Sequence, residues 1–205
     1  MNTVEMKAQN TNCPPGLQYG GTTTFQYSDD CEVEFDWCWG YATGHYNLYI
    51  GGMRFNGAGC DRFDPFITAE TYTYLVNACA KWILLSEDNP FSSFHIFPCD
   101  EEIPAIVVRI GKATCVTDRY VIALNDKYEP IFAVSPCFEF PGGPICYSIS
   151  TYCLEMDVDD EGNAFIKEVK QNIETTGMEP FNCPLTKRIQ VLGGFKDMRC
   201  NRVCE

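Results

Sequence analysis

Thirteen cysteines stand in a chain of 205 residues, and three chemistries use that residue: metal binding, thiol redox catalysis and disulfide cross-linking. Tetrahedral metal sites draw on tightly spaced pairs such as C-x-x-C, and so do the common dithiol redox motifs. No C-x-x-C occurs. The closest pair is Cys200 and Cys204, and the others run from Cys13 through Cys31, Cys38, Cys60, Cys79, Cys99, Cys115, Cys137, Cys146 and Cys153 to Cys183. His45 and His95 are the only histidines, so mixed Cys/His sites have few ligands to draw on. The spread reads as a disulfide framework built in an oxidising, extracellular compartment. An odd count leaves at least one sulfur over, either as a buried free thiol or as a link to another chain.

A C-x6-C spacing occurs twice, as CEVEFDWC (31–38) and CYSISTYC (146–153), each with an aromatic just before the second cysteine. On a strand, residues seven apart point to opposite faces and lie about 23 Å apart. A disulfide needs Cα atoms within about 7 Å. Neither pair can therefore close on itself, and each cysteine must reach another element.

Other chemistry finds thinner support. Asp157, Asp159, Glu161, Gly162 and Glu168 match positions 1, 3, 5, 6 and 12 of a calcium-binding EF-hand loop. The preceding segment reads as strand rather than helix, and Ala164 stands where an apolar β-branched residue is usual, so an acidic hairpin turn is the preferred reading. Ser92 and Ser93 lack a G-x-S-x-G elbow, His95 sits among aromatics, and no carboxylate pair is singled out. Gly51-Gly52 and Gly193-Gly194 lack the surroundings of a phosphate loop. No cofactor is expected, and a non-enzymatic role is preferred.

These residues must be positioned by strands. LQYGGTTTFQY (17–27) alternates without a charge, placing Leu17, Tyr19, Thr23, Phe25 and Tyr27 on one side. In 31–41, Cys31, Val33, Phe35, Trp37, Trp39 and Tyr41 share one parity, while Glu32, Glu34, Asp36 and Cys38 share the other, a wet acidic face. HYNLYIGGMRFN reads as another strand. Residues 68–86 change period: Tyr72, Leu75, Val76, Cys79, Trp82 and Ile83 recur at helical spacing behind a Thr68 cap, with Asn89-Pro90 as the stop. Cys79, on that apolar face, should find its partner in the core beneath. Strand signals then return in IPAIVVRIGKATCV, in YVIAL and PIFAV around NDKYE, and in CFEF and ICYSISTYC around Pro141-Gly142-Gly143-Pro144. The segment 165–173 fits strand or helix equally. The fold class expected is β-rich α+β: disulfide-stapled antiparallel sheets or a sandwich with one amphipathic helix over about 68–86. Residues 1–30 form an N-terminal arm with a possible donor strand (17–27), 31–175 the stapled core, and 176–205 a basic extension.

The net charge of −13 argues against nucleic acid, and no apolar run is long enough to insert into a membrane. From Lys187 onward the chain carries Lys187, Arg188, Lys196, Arg199 and Arg202 against Asp197 and Glu205, leaving −16 on the rest. A basic tail on an acidic body reads as a docking element, within the subunit or onto a neighbour. The opening MNTVEMKAQN has no apolar stretch and reads as no secretory leader, which leaves the export route open.

The motif C-x-V-x-F-x-x-C-W, a strand ending G-x-G-C (57–60), a helix closing on NPF (89–91), PC (98–99), IVVRI, Cys115, PC (136–137) and ICYSISTYCLEMD together resemble uncharacterised cysteine-rich secreted proteins of Bacteroidota-type bacteria over about residues 31–157. The resemblance implies export, disulfides and a cell-surface or extracellular role, and carries no activity. The expected function is an extracellular structural subunit of a bacterial surface filament or fibre. It would pair with copies of itself by strand addition (Leu17, Tyr19, Phe25, Tyr27) and tail docking (Lys187, Arg188, Lys196, Arg199, Arg202), with other surface proteins or glycans as further partners. The alternative is a monomeric secreted adhesin or carbohydrate-binding module using Trp39, Tyr41 and Tyr46, and a secreted hydrolase ranks third.

Overall fold

The computed structural model describes residues 13–42, 44–62, 68–86, 106–138, 145–158, 161, 164–169, 172–175 and 182–204. In chain order the elements are β1 (Gln18–Ser28), β2 (Cys31–Ala42), β3 (His45–Asn56), a 3-10 turn (Ala58–Arg62), α1 (Ala69–Leu85), β4 (Ile106–Ala113), β5 (Cys115–Thr117), β6 (Tyr120–Leu124), β7 (Pro130–Val134), β8 (Ile145–Tyr152), β9 (Leu154–Val158), β10 (Ala164–Val169), β11 (Asn172–Thr175), β12 (Thr186–Val191) and β13 (Gly194–Arg202). The chain is thus β-rich with one helix among the described residues. Eight strands form the main sheet, ordered β1-β2-β3-β4-β8-β11, with β7 pairing β3 and β6 pairing β7. Its pairings are antiparallel except β3 with β4, which run parallel because α1 lies in the connection between them. A second sheet runs β12-β13-β5, and β9 and β10 form a separate hairpin.

Two glycine positions set which side chains face the helix. Between Tyr19 and Gly21 the pairing of β1 with β2 slips by one residue, leaving Gly20 in a bulge. A Cβ at Gly20 would collide with the Trp37 ring, so glycine lets the indole lie on the strand. The bulge inverts parity. Thr23 and Phe25 face the helix side, with Thr23 Oγ1 accepting from Trp37 Nε1 at 3.0 Å. Tyr19 instead meets Thr22 and Asp36 on the opposite face, which corrects the expectation that Tyr19 shares a side with Thr23, Phe25 and Tyr27. A second slip sets Asp36 of β2 against Gly51-Gly52 of β3, so Leu48, Ile50, Met53 and Phe55 all point toward the helix although Ile50 and Met53 differ in parity.

On that face Phe25, Val33, Phe35, Trp37, Leu48, Ile50, Phe55, Val108, Ile110 and Tyr152 pack against Tyr72, Leu75, Val76, Cys79, Ala80, Ile83 and Leu84 of α1. The helix begins as expected, with the Thr68 side chain accepting from Thr71 N at 3.1 Å. Ser86 caps its C-terminus; Asn89 and Pro90 lie outside the described residues. Two expectations fail here. Cys79 bonds to no other cysteine and is a free, fully buried thiol, because its neighbours are the aliphatic and aromatic side chains of the sheet. Trp82 leaves the buried stripe: it is 43% exposed and stacks on Phe25 of β1, ring centroids 5.5 Å apart.

The C-terminal segment is no loose extension. β13 pairs β5, Val203 N donates to Thr114 O at 2.9 Å, and Val203 enters the main core. β9 pairs β10 antiparallel, the hairpin expected around the acidic turn, and β10 and β11 make strands of most of 165–173. CFEF forms no strand over its described residues; Pro136 beside it makes one isolated bridge to Val116. Pro141 to Pro144, His95, Cys99 and Asp159 lie outside the described residues.

Candidate functional site

The cysteines act as staples. Cys38 bonds Cys13 and Cys31 bonds Cys60, with Cα atoms 5.8 and 4.9 Å apart. Cys115 bonds Cys183, Cys137 bonds Cys200 and Cys146 bonds Cys204. Cys153 is also disulfide-bonded, so neither C-x6-C pair closes on itself. Cys38 faces away from the helix as parity requires, yet its strap to Cys13 buries it, so that face is dry at this point. These bridges fit an oxidising compartment. Burial pushes the Cys79 thiol far above its ordinary range, which leaves it unreactive.

Two surfaces remain to do work. The first is the edge formed by β1. This strand carries no charged residue, and among the described residues it hydrogen-bonds as a strand to β2 alone. Beside it, Tyr74, Ala78, Trp82 and Leu85 follow one another at helical spacing along α1. Tyr74 is 60% exposed, Leu85 39%, and Tyr74 meets Tyr27 edge-on at 6.4 Å. An apolar ledge therefore flanks the sheet edge. Of the residues expected to drive strand addition, Phe25 and Tyr27 lie beneath this ledge, Leu17 precedes the strand, and Tyr19 points into the opposite face. β1 belongs to its own chain's sheet and is not a free donor.

The second surface is a cleft of about 310 Å³ on the face away from α1. It opens where β3 passes from its parallel partner β4, paired through Ile50, to its antiparallel partner β7, paired from Met53. Gly51 and Gly52 form its floor; Tyr19, Asp36, Tyr49, Arg54, Tyr120, Ser135 and Lys187 line it. Thr22 Oγ1 donates to Asp36 Oδ1 at 2.6 Å, and Tyr19 shares a 2.9 Å hydrogen bond with Thr22. Arg54 pairs with Glu34, directly across the ladder, and reaches Asp36 Oδ2 at 3.5 Å. Burial raises the Asp36 pKa above the ordinary carboxylate value, and the bonds from Thr22 and Tyr19 offset part of that rise. Tyr120 and Ser135 share a hydrogen bond of 2.6 Å.

The tail cations disperse. Lys187 Nζ donates to Pro136 O at 2.8 Å on the cleft rim, Arg188 lies 5.7 Å from the Phe195 ring centroid, and Arg202 Nε donates to Cys204 O. Arg188, Lys196, Arg199 and Arg202 are exposed and make no ion pair among the described residues. The aromatic trio does not form an open platform. Tyr41 is 65% exposed, but Trp39 and Tyr46 are half-buried against the core, with Tyr46 edge-on to Tyr41 at 5.1 Å. Among the described residues no cluster of metal-ligating side chains forms; Asp157 and Glu168 lie on the β9–β10 hairpin and Glu161 in its turn. Sequence reasoning overlooked the Tyr74-Trp82-Leu85 ledge, whose spacing was visible, and the cleft, whose sole trace was Gly51-Gly52. No family model, curated protein or solved structure matches the chain.

Proposed function

We propose that the protein is an extracellular structural subunit that associates with copies of itself along the β1 edge, as in a surface filament or fibre. One observation carries this reading: an eleven-residue edge strand without a charged residue, flanked by exposed Tyr74, Trp82 and Leu85. Edge strands that must stay solitary usually carry lysine, proline or a covering segment. A second copy laid antiparallel along β1 would use its spare backbone groups and cover the ledge. The exposed cations of the β12–β13 hairpin supply a second contact, onto the acidic surface of a neighbour. The disulfides favour an oxidising setting, and the resemblance to exported cysteine-rich proteins points the same way.

Sedimentation and negative-stain microscopy of the full chain test this. The expected result is oligomers that Tyr74→Lys or Thr24→Lys disperses and that Tyr128→Lys, on the β6–β7 turn away from the ledge of α1, leaves intact. A monodisperse species of 23.2 kDa at all concentrations would rule the reading out.

A further inference from the structure

We infer that the cleft at the β3 fork is a binding site for a neutral polyhydroxylated ligand, one sugar residue of a glycan, held by Asp36, Tyr19, Tyr120 and Ser135. The inference is independent of assembly, because the cleft opens on the face away from α1 and its ledge.

Size and chemistry both select the ligand. About 310 Å³ falls at the small end of ligand pockets, room for a single ring and not for an oligomer. The lining combines apolar Ile122, Pro136 and Phe138 with the hydroxyl and carboxylate groups of Tyr19, Asp36, Tyr120 and Ser135, which come from four chain segments. Anions are disfavoured. The Arg54 guanidinium is already shared between Glu34 and Asp36, and the Lys187 ammonium is engaged by the Pro136 carbonyl. Cations are disfavoured as well, since the Arg54 guanidinium and the Lys187 ammonium on the rim together balance the two carboxylates that would attract them. An uncharged ligand rich in hydroxyls loses nothing to either arrangement. Its O–H groups can donate to Asp36, whose carboxylate is oriented by Thr22 and Arg54, and can both donate to and accept from the Tyr120–Ser135 pair. The tyrosine rings and Phe138 offer flat apolar surface to the C–H face of a pyranose. The fork keeps the site open: an added side chain at Gly51 would press on the Asp36 backbone carbonyl, and one at Gly52 would contact Val134 O.

Saturation-transfer-difference NMR tests this on the full chain, and it works whether or not the chain polymerises. The probes are glucose, galactose, mannose and N-acetylglucosamine, each at tens of millimolar. The expected result is saturation transfer to at least one of them. Tyr19→Ala should weaken the signal about tenfold, as should Asp36→Ala, while Tyr128→Ala leaves it unchanged. Tyr19 is partly exposed, so its replacement leaves the fold intact and keeps the outcome readable. No transfer to any of the four sugars would overturn the proposal. Transfer that survives both cleft substitutions but disappears in Tyr41→Ala would overturn it too, moving recognition to the opposite face. Loss of assembly without loss of sugar binding, or the converse, separates this inference from the structural-subunit reading.

Discussion

The two halves of the molecule hold together by different physics. Around α1, about two dozen buried side chains, most of them from β1 to β4, β8 and the helix, form a continuous apolar core that holds the Cys31–Cys60 bridge and keeps a free thiol. Beneath the β12-β13-β5 sheet, the buried cluster consists of Cys115, Cys137 and Cys200, with Phe138 and Cys183 packed against it. There the sulfur atoms are the core. A three-stranded layer cannot bury enough apolar surface to hold itself, so covalent links spanning 58, 63 and 68 residues replace packing. Among the described residues, the packed half carries only the short bridges, over 25 and 29 residues, whereas the part with too little core depends on the long ones.

Removing a staple should expose this difference most strongly. Replacing both Cys137 and Cys200 by alanine opens a loop of 63 residues, and loop-closure entropy puts the cost at about 4 kcal/mol. Hydrogen exchange should then show amides of β12 and β13 losing protection well before those of α1 and β4. If α1 lost protection in step with the tail, the division into a packed and a stapled half would fail.

The converse experiment acts on the packed half. Leu75 is fully buried between α1 and the sheet, and Leu75→Ala should cost about 3 kcal/mol. Cys79, one turn along the same face, supplies the readout, because alkylation of its buried thiol requires the core to open. Iodoacetamide should label Cys79 slowly in the native chain, markedly faster in Leu75→Ala, and at the native rate in the Cys137/Cys200 variant. Equal acceleration in both variants would mean one cooperative unit.

The packed half was also the legible half. The alternation of Cys31, Val33, Phe35 and Trp37 and the helical recurrence of Tyr72, Leu75, Val76 and Cys79 follow from burial on one face, and burial is what a periodic pattern records. Parity failed where a glycine reset it. Gly20 turned Tyr19 to the other face and Gly51-Gly52 split β3 between two partners, and a bulge leaves no mark in hydropathy beyond the glycine itself. The partner of each cysteine was illegible for a different reason: pairing is fixed by tertiary proximity, which spacing alone does not encode. Cys79 shows the limit. Its place on the apolar face was readable, but whether another sulfur lay opposite was not. The cleft depended on strands far apart in sequence, β1, β3 and β6, meeting at a fork, so nothing local announced it.

The smallest expected effect tests whether that cleft is a true interior. Asp36 faces Arg54, Glu34, Thr22 and Tyr19, and burial raises its pKa above the ordinary 3.8. In the folded chain it therefore holds its proton more tightly than when unfolded, and its contribution to stability declines as pH rises from the ordinary carboxylate range through the raised value. Other carboxylates will mask this in the native profile, so the informative quantity is the difference in Tm between the native chain and Asp36→Asn. The substitution removes the titration but keeps an acceptor for Thr22. Relative to the variant, the native chain should gain stability on acidification across that window and show a constant offset above it. A difference that stays flat throughout would place the carboxylate in open water, and the cleft would then lack the partly desolvated acceptor on which recognition of a neutral hydroxylated ligand rests.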